Sequence, residues 1–305
     1  MDPHVLLAAL GRTIVGQRAV CESLVVGLIA DGHVLLEGPP GVAKTLAARA
    51  LASAVGGRFK RIQFTPDLLP SDIVGTRIFD QKTSEFATVL GPLFANVVLA
   101  DEINRAPAKV QSALLEGMQE RQVTIGPRTH RLPEPFVVLA TMNALDADGT
   151  YALPLAQMDR FLLRVALDYP NRAEELAILS RFGGEPPELP REVVSLDDVL
   201  RWRHAARALH VEARVAEYVV ALVAATRLAH EHLERGASPR ATLALVAAAR
   251  ARALLDGRTF VTPDDVKVLA LRALRHRVVL SDRALAERID PDALVAGLIG
   301  SVASP

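Results

Sequence analysis

Short apolar runs separated by amphipathic stretches make up the first half of the chain. Four runs are almost continuous in Val, Leu, Ile, Ala and Phe, which is typical of buried strands in a parallel sheet. They lie at 33–37, 97–101, 136–141 and 161–167. A fifth run, 58–64, alternates between apolar and polar residues and predicts a strand near a sheet edge. Because helical patterns separate several of these runs, the sequence predicts an α/β fold in which helices flank a parallel five-stranded sheet.

The pattern changes near residue 170, where the chain becomes rich in Ala and Leu at helical spacing. This spacing predicts helices at 192–207, 212–233, 239–256 and 263–275. The sequence therefore predicts two domains: an α/β domain over 1–170 and a smaller, all-helical domain over 171–305.

Two insertions interrupt the α/β pattern. Residues 75–91 contain two β-rich runs around polar residues, and residues 122–132 have the same form with Gly126-Pro127 between the runs. Gly-Pro is a turn dipeptide. Each insertion is therefore predicted to form a β-hairpin.

Composition narrows the class of protein. The 35 Lys and Arg residues equal the 35 Asp and Glu residues, so no net charge attracts the chain to nucleic acid or to an anionic membrane. Aromatic residues, at 4%, are too few to suggest a base-stacking platform. The single cysteine, Cys21, fits a reducing compartment. No apolar stretch reaches the roughly 18 residues of a membrane span, so a soluble cytoplasmic protein is expected.

The segment GPPGVAKT, residues 38–45, is close to G-x-x-x-x-G-K-[ST], a turn that binds phosphates between a strand and a helix. Backbone N–H groups of the loop and the positive helix end are predicted to bind the phosphates. Lys44 is predicted to reach the β- and γ-phosphates, and Thr45 to hold Mg²⁺. The predicted nucleotide-binding positions are Gly38, Pro39, Pro40, Gly41, Val42, Ala43, Lys44, Thr45 and Leu46.

Ala43 stands where the motif usually has glycine. A methyl group costs little there if the backbone φ is helical, and it is unfavourable if φ is positive. The backbone conformation of this one residue therefore decides how well the loop tolerates the substitution.

Asp101 and Glu102 come directly after a buried strand. Consecutive carboxylates at such a place are costly unless a cation lies nearby. Asp101 is predicted to accept from Mg²⁺-bound water, and Glu102 to orient and deprotonate the attacking water. Asn143 follows the next strand and is predicted to lie beside Glu102, where a neutral amide can hold that water. The alternatives are that the two acids cap the following helix and that Asn143 is an ordinary turn residue.

Two arginines lie in unusual positions. Ser238 is predicted to cap a helix that carries Arg240 in its first turn, where the helix dipole disfavours a cation by about 0.3–1 kcal/mol. An external anion would reverse this effect, so Arg240 is predicted to reach the nucleotide phosphates, with a solvent-facing side chain as the alternative. Arg160 precedes the last strand of the sheet, and the local sequence does not separate a catalytic role from an ion pair with Asp159 or another acid.

Together these features resemble the AAA+ ATPases and, among them, the MoxR family. The most specific stretch is LADEINRAPAKVQSALLEGMQERQVTIG at 99–126, and the segments 64–75, 91–94 and 236–245 support it. The likeness covers nearly the whole chain from residue 14. It implies an AAA+ core followed by a helical lid, in an ATP-driven and usually hexameric ring that acts as a chaperone-like remodeller.

The resemblance also implies a role for each candidate residue, with ATP or ADP and Mg²⁺ as cofactors. Lys44 and Thr45 correspond to the Walker A pair, and Asp101 and Glu102 to the Walker B pair. The remaining correspondences are Asn143 with sensor 1, Arg160 with the arginine finger, Arg240 with sensor 2, and Val15, Gly16 and Gln17 with the segment that lines the adenine.

Further implications of the resemblance concern partners. The insertion at about 75–91 corresponds to the helix-2 insert and that at about 122–132 to the pre-sensor hairpin, both of which point toward the pore of the ring. Members of the family commonly work with a partner that carries a von Willebrand factor A domain. They assist the maturation of a client enzyme.

Three other functions stay open at this stage. A nucleic-acid motor is disfavoured by the zero net charge, although Arg128, His130 and Arg131 in the second insertion leave room for it. A metal-chelatase ATPase subunit belongs to a neighbouring family. A non-hydrolysing assembly module is disfavoured by the presence of Glu102.

Overall fold

The computed structural model describes residues 2–82, 84–143, 151–184, 187–228 and 230–305. In chain order the elements of its first half are α1 (His4–Thr13), α2 (Arg18–Ile29), β1 (Val34–Glu37), α3 (Lys44–Ala54), β2 (Phe59–Gln63), α4 (Pro70–Val74), β3 (Gly75–Asp80), β4 (Glu85–Leu90), β5 (Val97–Asp101), α5 (Ala108–Glu120), β6 (Gln122–Ile125), β7 (Arg128–Arg131), β8 (Val137–Met142), α6 (Leu155–Met158) and β9 (Leu163–Ala166). The second half contains α7 (Arg172–Phe182), α8 (Leu196–Ala208), α9 (Ala213–Ala225), β10 (Leu233–Arg235), α10 (Pro239–Leu255), α11 (Pro263–Leu274), β11 (Val279–Leu280), α12 (Asp282–Ala286) and α13 (Pro291–Ser301).

A parallel five-stranded sheet forms the centre of the fold, in the order β2-β5-β8-β1-β9. The five predicted strands are therefore confirmed, and the alternating run forms β2 at one edge, as its pattern predicts. Side chains on successive residues of a strand point to opposite faces. On β1, Val34 and Leu36 join one apolar layer and Leu35 joins the other.

The two layers have different contents. One contains α4, α5 and the inner side of the second insertion. The other contains α1, α2 and α3 together with the helices of the second half, because α8 and α10 pack on α2. The second half is mostly helical as predicted, and it shares this core with the sheet. The domain boundary near residue 170 stays a prediction.

Both insertions form antiparallel hairpins. Strands β3 and β4 pair from Gly75↔Leu90 to Asp80↔Glu85, and β6 and β7 pair around a turn in which Gly126 has a φ of +58°. The hairpins touch, since a Cβ on Gly126 would lie 2.6 Å from the Cδ atom of Arg77. Glycine therefore supplies both the left-handed turn and the space for this contact.

The helix predicted over 212–233 is wrong at its end, because α9 stops at Ala225. The hydroxyl of Thr226 donates to the carbonyl of Val223 and accepts the amide of Ala237, so the chain turns back on itself. The returning segment forms β10, which pairs with β11. Gly236 permits the return, because a Cβ on it would lie 2.2 Å from the carbonyl oxygen of Thr226, but no glycine or proline stands at the end of α9 itself.

Within the described ranges, no helix is both long enough and apolar enough to cross a membrane.

Candidate active site

Three neighbouring strands bring the predicted chemistry to the carboxyl edge of the sheet. Strand β1 leads into the phosphate loop, β5 ends at Asp101, and Asn143 directly follows β8. Register places Glu37 opposite Met142 and Ala100 opposite Ala140, so Glu102 and Asn143 lie on adjacent strand ends as predicted. Residues from three distant parts of the chain thus meet at one edge.

The phosphate loop has the local structure that an anion requires. Lys44 begins α3, and its ammonium group donates to the carbonyl of Gly38 at 2.7 Å and to that of Met142 at 3.4 Å. No side chain caps α3, and its first turn contains no acidic residue. The N–H groups at its positive end therefore suit phosphate oxygens, and the residues present fit a bound nucleotide.

The backbone at Ala43, where the motif usually has glycine, has a positive φ. Its φ is +61° and its ψ is +21°, in the left-handed region rather than the helical one. A residue with a Cβ atom is strained in that region by about 1–2 kcal/mol. The favourable alternative of a helical φ is therefore excluded, and the loop is held in its shape by the surrounding structure despite the methyl group.

Ala43→Gly is expected to stabilise the protein by about 1 kcal/mol, because glycine adopts a positive φ without strain. Chemical denaturation would measure the change. The matched control is Ala47→Gly, four residues later inside α3 and buried, which should destabilise the protein by at least about 1 kcal/mol. A loss of stability in both variants would contradict the strain at Ala43.

Asp101 is a buried carboxylate held between two partners. The hydroxyl of Thr141 donates to its Oδ1 at 2.5 Å, and Arg61 donates to its Oδ2 through Nε at 3.0 Å and Nη2 at 2.6 Å. Its side chain is only 11% exposed. Arg61 supplies the cation that the sequence required beside this carboxylate, and it comes from β2.

Glu102 leaves the strand in a left-handed conformation, with φ +57° and ψ +51°. Its carboxylate accepts from the amide of Gln63 at 2.9 Å and pairs with Arg105 at 3.1 Å. It caps no helix, because the 3₁₀ turn that follows, Ile103–Arg105, has no side-chain cap bond. Strained backbone of this kind is typical of functional sites. The helix-capping alternative for Glu102 is thus excluded.

The donor set of the site suits Mg²⁺. A hydroxyl from Thr45 and a carboxylate from Asp101 are hard oxygen ligands, and protein sites for this ion commonly supply one or two carboxylates beside phosphates and water. When bound, the ion would neutralise charge on the phosphates.

The predicted adenine segment lies between the sheet domain and the start of α7. Gln17 donates from its side chain to the carbonyl of Asp168 at 3.1 Å. Gly16 has a φ of +76°, and a Cβ on it would lie 2.4 Å from the side chain of Glu174. A glycine is therefore required here, while Val15 beside it is partly buried. Contact of this segment with the base stays a prediction.

The structure places Arg160 and Arg240 together and far from the phosphate loop. Both line a cavity of about 300 Å³, with Gly32, His33 and Asp159 among its walls. Gly32 and His33 precede β1, whereas the phosphate loop follows it. The four residues of β1, at about 3.3 Å each, put roughly 13 Å of strand between the two places. The arginine cavity is thus at the amino edge of the sheet.

Arg240 was predicted to reach the nucleotide phosphates, and from the amino edge this role stays a prediction. Among the described residues, none of the phosphate loop lines the arginine cavity. For Arg160, the sequence left open an ion pair with Asp159 or another acid. Asp159 pairs with Arg277 instead, at 2.7 Å. The Nε atom of Arg160 is buried without a hydrogen-bond partner in the described part of the chain.

Sequence reasoning missed four residues of the carboxyl edge: Arg61, Gln63, Arg105 and Thr141. A signal exists for two of them, since Arg61 and Gln63 are alternate residues of β2 and therefore share the face on which β5 presents its acids. Nothing local distinguishes Thr141, because its partner Asp101 lies 40 residues away.

Comparisons with known proteins agree with this geometry. A family model described as "ATPase family associated with various cellular activities (AAA)" matches residues 33–163, and one described as "AAA lid domain" matches residues 225–298. A protein named Chaperone MoxR1 from Mycobacterium tuberculosis is 50% identical over 302 residues, which cover 96% of this chain and 80% of the relative.

Two further relatives match almost end to end. The uncharacterized protein YeaC from Bacillus subtilis is 44% identical over 100% of this chain and 96% of its own length. The crystal structure of a protein from Cytophaga hutchinsonii, described as a candidate ATPase, superposes with a TM-score of 0.92 at 40% identity, over 99% of this chain and 94% of that one.

Proposed function

Since this chain belongs to the MoxR family of AAA+ ATPases, we propose that it hydrolyses Mg-ATP at a site that a second copy of the chain completes. The observation that carries the proposal is the opposite placement of two half-sites. The phosphate loop, Asp101 and Glu102 lie at the carboxyl edge of the sheet, and Arg160 and Arg240 lie at the amino edge.

The carboxyl edge supplies binding and the chemistry of water. Amides of the loop and the ammonium of Lys44 hold the phosphates, and Thr45 and Asp101 hold Mg²⁺. Glu102 orients the attacking water and takes its proton, with Asn143 as a second hydrogen-bond partner for that water. Gln63 and Arg105 hold the Glu102 carboxylate in the present structure, so they set where it points before nucleotide arrives.

The amino edge supplies positive charge. An arginine aimed at the γ-phosphate stabilises the charge that develops in phosphoryl transfer. Arg160 has an unsatisfied buried donor, and Arg240 lines the same cavity, so both suit an external phosphate. Neither shares a cavity with the phosphate loop of its own chain among the described residues, which supports a phosphate that comes from a neighbouring copy.

Two unlike edges that meet form a head-to-tail contact, and such contacts close into rings when the rotation permits. A homo-oligomeric ring follows from this argument, and the family resemblance suggests six copies. The role in the cell would be chaperone-like remodelling of a client enzyme, with a von Willebrand factor A domain protein as the partner that the resemblance suggests.

The first hairpin is the surface best suited to touch a client. Five of its apolar side chains are about half exposed, and an exposed apolar patch commonly marks a site of protein contact. They are Ile78, Phe79, Phe86, Val89 and Leu90.

Specific ATP turnover is expected to rise with protein concentration, because each complete site needs two copies. Turnover per chain, measured from dilute to concentrated protein, should increase until the ring is fully assembled. Native mass spectrometry with Mg-ATP should show a closed oligomer over the same range. A monomer whose turnover per chain does not change with concentration would contradict the shared site.

A further inference from the structure

The segment 159–162, which carries Arg160 into β9, is held by Arg277 in the turn that follows α11. Arg277 is 2% exposed and donates its Nε to Asp159 Oδ1 at 2.7 Å. Its other nitrogens donate to the carbonyls of Asp159, Phe161 and Leu162 at 2.7–3.2 Å. One buried guanidinium from the second half of the chain thus binds the backbone on both sides of Arg160.

Ser238, at the start of helix α10, makes a second contact with Asp159. The hydroxyl of Ser238 donates to Asp159 Oδ2 at 2.8 Å, and the Oγ atom of Ser238 accepts the backbone N–H of Arg240 at 3.1 Å. A single hydroxyl therefore connects the first turn of α10, which carries Arg240, to the residue that precedes Arg160.

Asp159 also accounts for the position of Arg240. A cation in the first turn of a helix is unfavourable, and an anion at the N-cap offsets this effect. The Asp159 carboxylate lies at the cap of α10 through Ser238 and lines the same cavity as Arg240. Asp159 thus offsets part of this unfavourable effect, but it is already paired with Arg277, so a phosphate from outside the chain remains a favourable partner for Arg240.

We propose that Asp159 is the positioning residue that holds Arg160 and Arg240 as one unit. This inference rests on the proposed function, in which the two arginines act on a neighbour's nucleotide. Asp159 contacts the start of α10 through Ser238 and the turn after α11 through Arg277, so a movement of these two helices would move Arg240 and the Arg160 segment together.

Direct replacement of Asp159 would leave the Arg277 cation buried without its partner, which is strongly destabilising. Ser238→Ala is the better test, because it leaves the Asp159–Arg277 pair in place. Its matched control is Ser195→Ala. Ser195 caps α8 in the same way, but its hydroxyl donates to Asp198 of its own helix, at 2.7 Å.

Ser238→Ala is expected to lower kcat by roughly tenfold, the effect of losing one hydrogen bond to a charged group. KM for ATP should stay unchanged, because the phosphate loop is untouched. Hydrogen exchange should become faster in 159–162, where the amide of Leu162 donates to His33 at 2.8 Å. Ser195→Ala should lose similar thermal stability from its cap and change neither kcat nor exchange in that segment.

A double-mutant cycle tests whether Ser238 acts through the arginine. In the Arg160→Ala background, Ser238→Ala should cost less than its tenfold, because one of the two arginines that it positions is gone. An undiminished tenfold loss there, or exchange and kcat equal to those of Ser195→Ala, would overturn the positioning role. Failure of the proposed function has a separate signature, which is wild-type turnover in Arg160→Ala alone.

Discussion

Glu102→Gln is expected to retain ATP binding and to slow turnover by about 10²- to 10⁴-fold, the usual contribution of a general base. The amide has nearly the same shape as the carboxylate and can still accept from Gln63, so the strained backbone at residue 102 should persist. It cannot take a proton from water. The expected product is a nucleotide-loaded oligomer that turns over very slowly.

Equilibrium binding of a fluorescent ATP analogue and steady-state phosphate release would measure the two parts of this prediction. Lys44→Ala, which removes the ammonium from the loop, serves as the variant in which binding itself is lost. Glu116→Gln, at an exposed position of α5, controls for the loss of a negative charge. Turnover at the wild-type rate in Glu102→Gln would show that another group activates the water.

Arg160→Ala is expected to bind ATP nearly normally and to hydrolyse it about 10³- to 10⁵-fold more slowly, as arginine fingers do in other phosphoryl-transfer systems. The reason is that the arginine lies at the amino edge of the sheet, away from the nucleotide of its own chain. Arg214→Ala, at an exposed position of α9, is the matched control and should keep full activity.

Mixing two inactive proteins distinguishes action between copies from action within one. In a ring of Arg160→Ala and Glu102→Gln copies, some interfaces combine an intact Glu102 from the first with an intact Arg160 from the second. Those interfaces should recover part of the activity. If mass spectrometry shows mixed rings and they are inactive at every ratio, the shared site is contradicted.

Local patterns in the sequence were sufficient to predict much of what lies at the carboxyl edge of the sheet. The apolar runs predicted the strands because a buried parallel strand must be apolar on both faces. The phosphate loop and the acid pair were recognisable because each is contiguous and has a fixed relation to its strand. Asn143 needed one further step, that parallel strands end at a common edge.

These patterns did not predict which residues have a strained backbone, although the position of Ala43 in its motif raised the question. Ala43 and Glu102 both have a positive φ, although neither is glycine and neither has a local sequence that requires it. Strain of this kind persists only where the surrounding structure imposes it. The end of α9 was missed for a related reason, since the turn depends on a hydrogen bond from Ala237 to Thr226 and on the close approach of Gly236 to Thr226, and neither residue is adjacent to Thr226 in the chain.

By itself the sequence determined the strands, the phosphate loop and its acids, because these depend on residues close together in the chain. Only the tertiary structure decided where the two arginines lie. Asp159 meets Ser238 across 79 positions and Arg277 across 118, and no periodic pattern encodes such a pairing. The packing of α10 and α11 beside the amino edge brings these groups together, and it separates them from the phosphate loop by the length of β1.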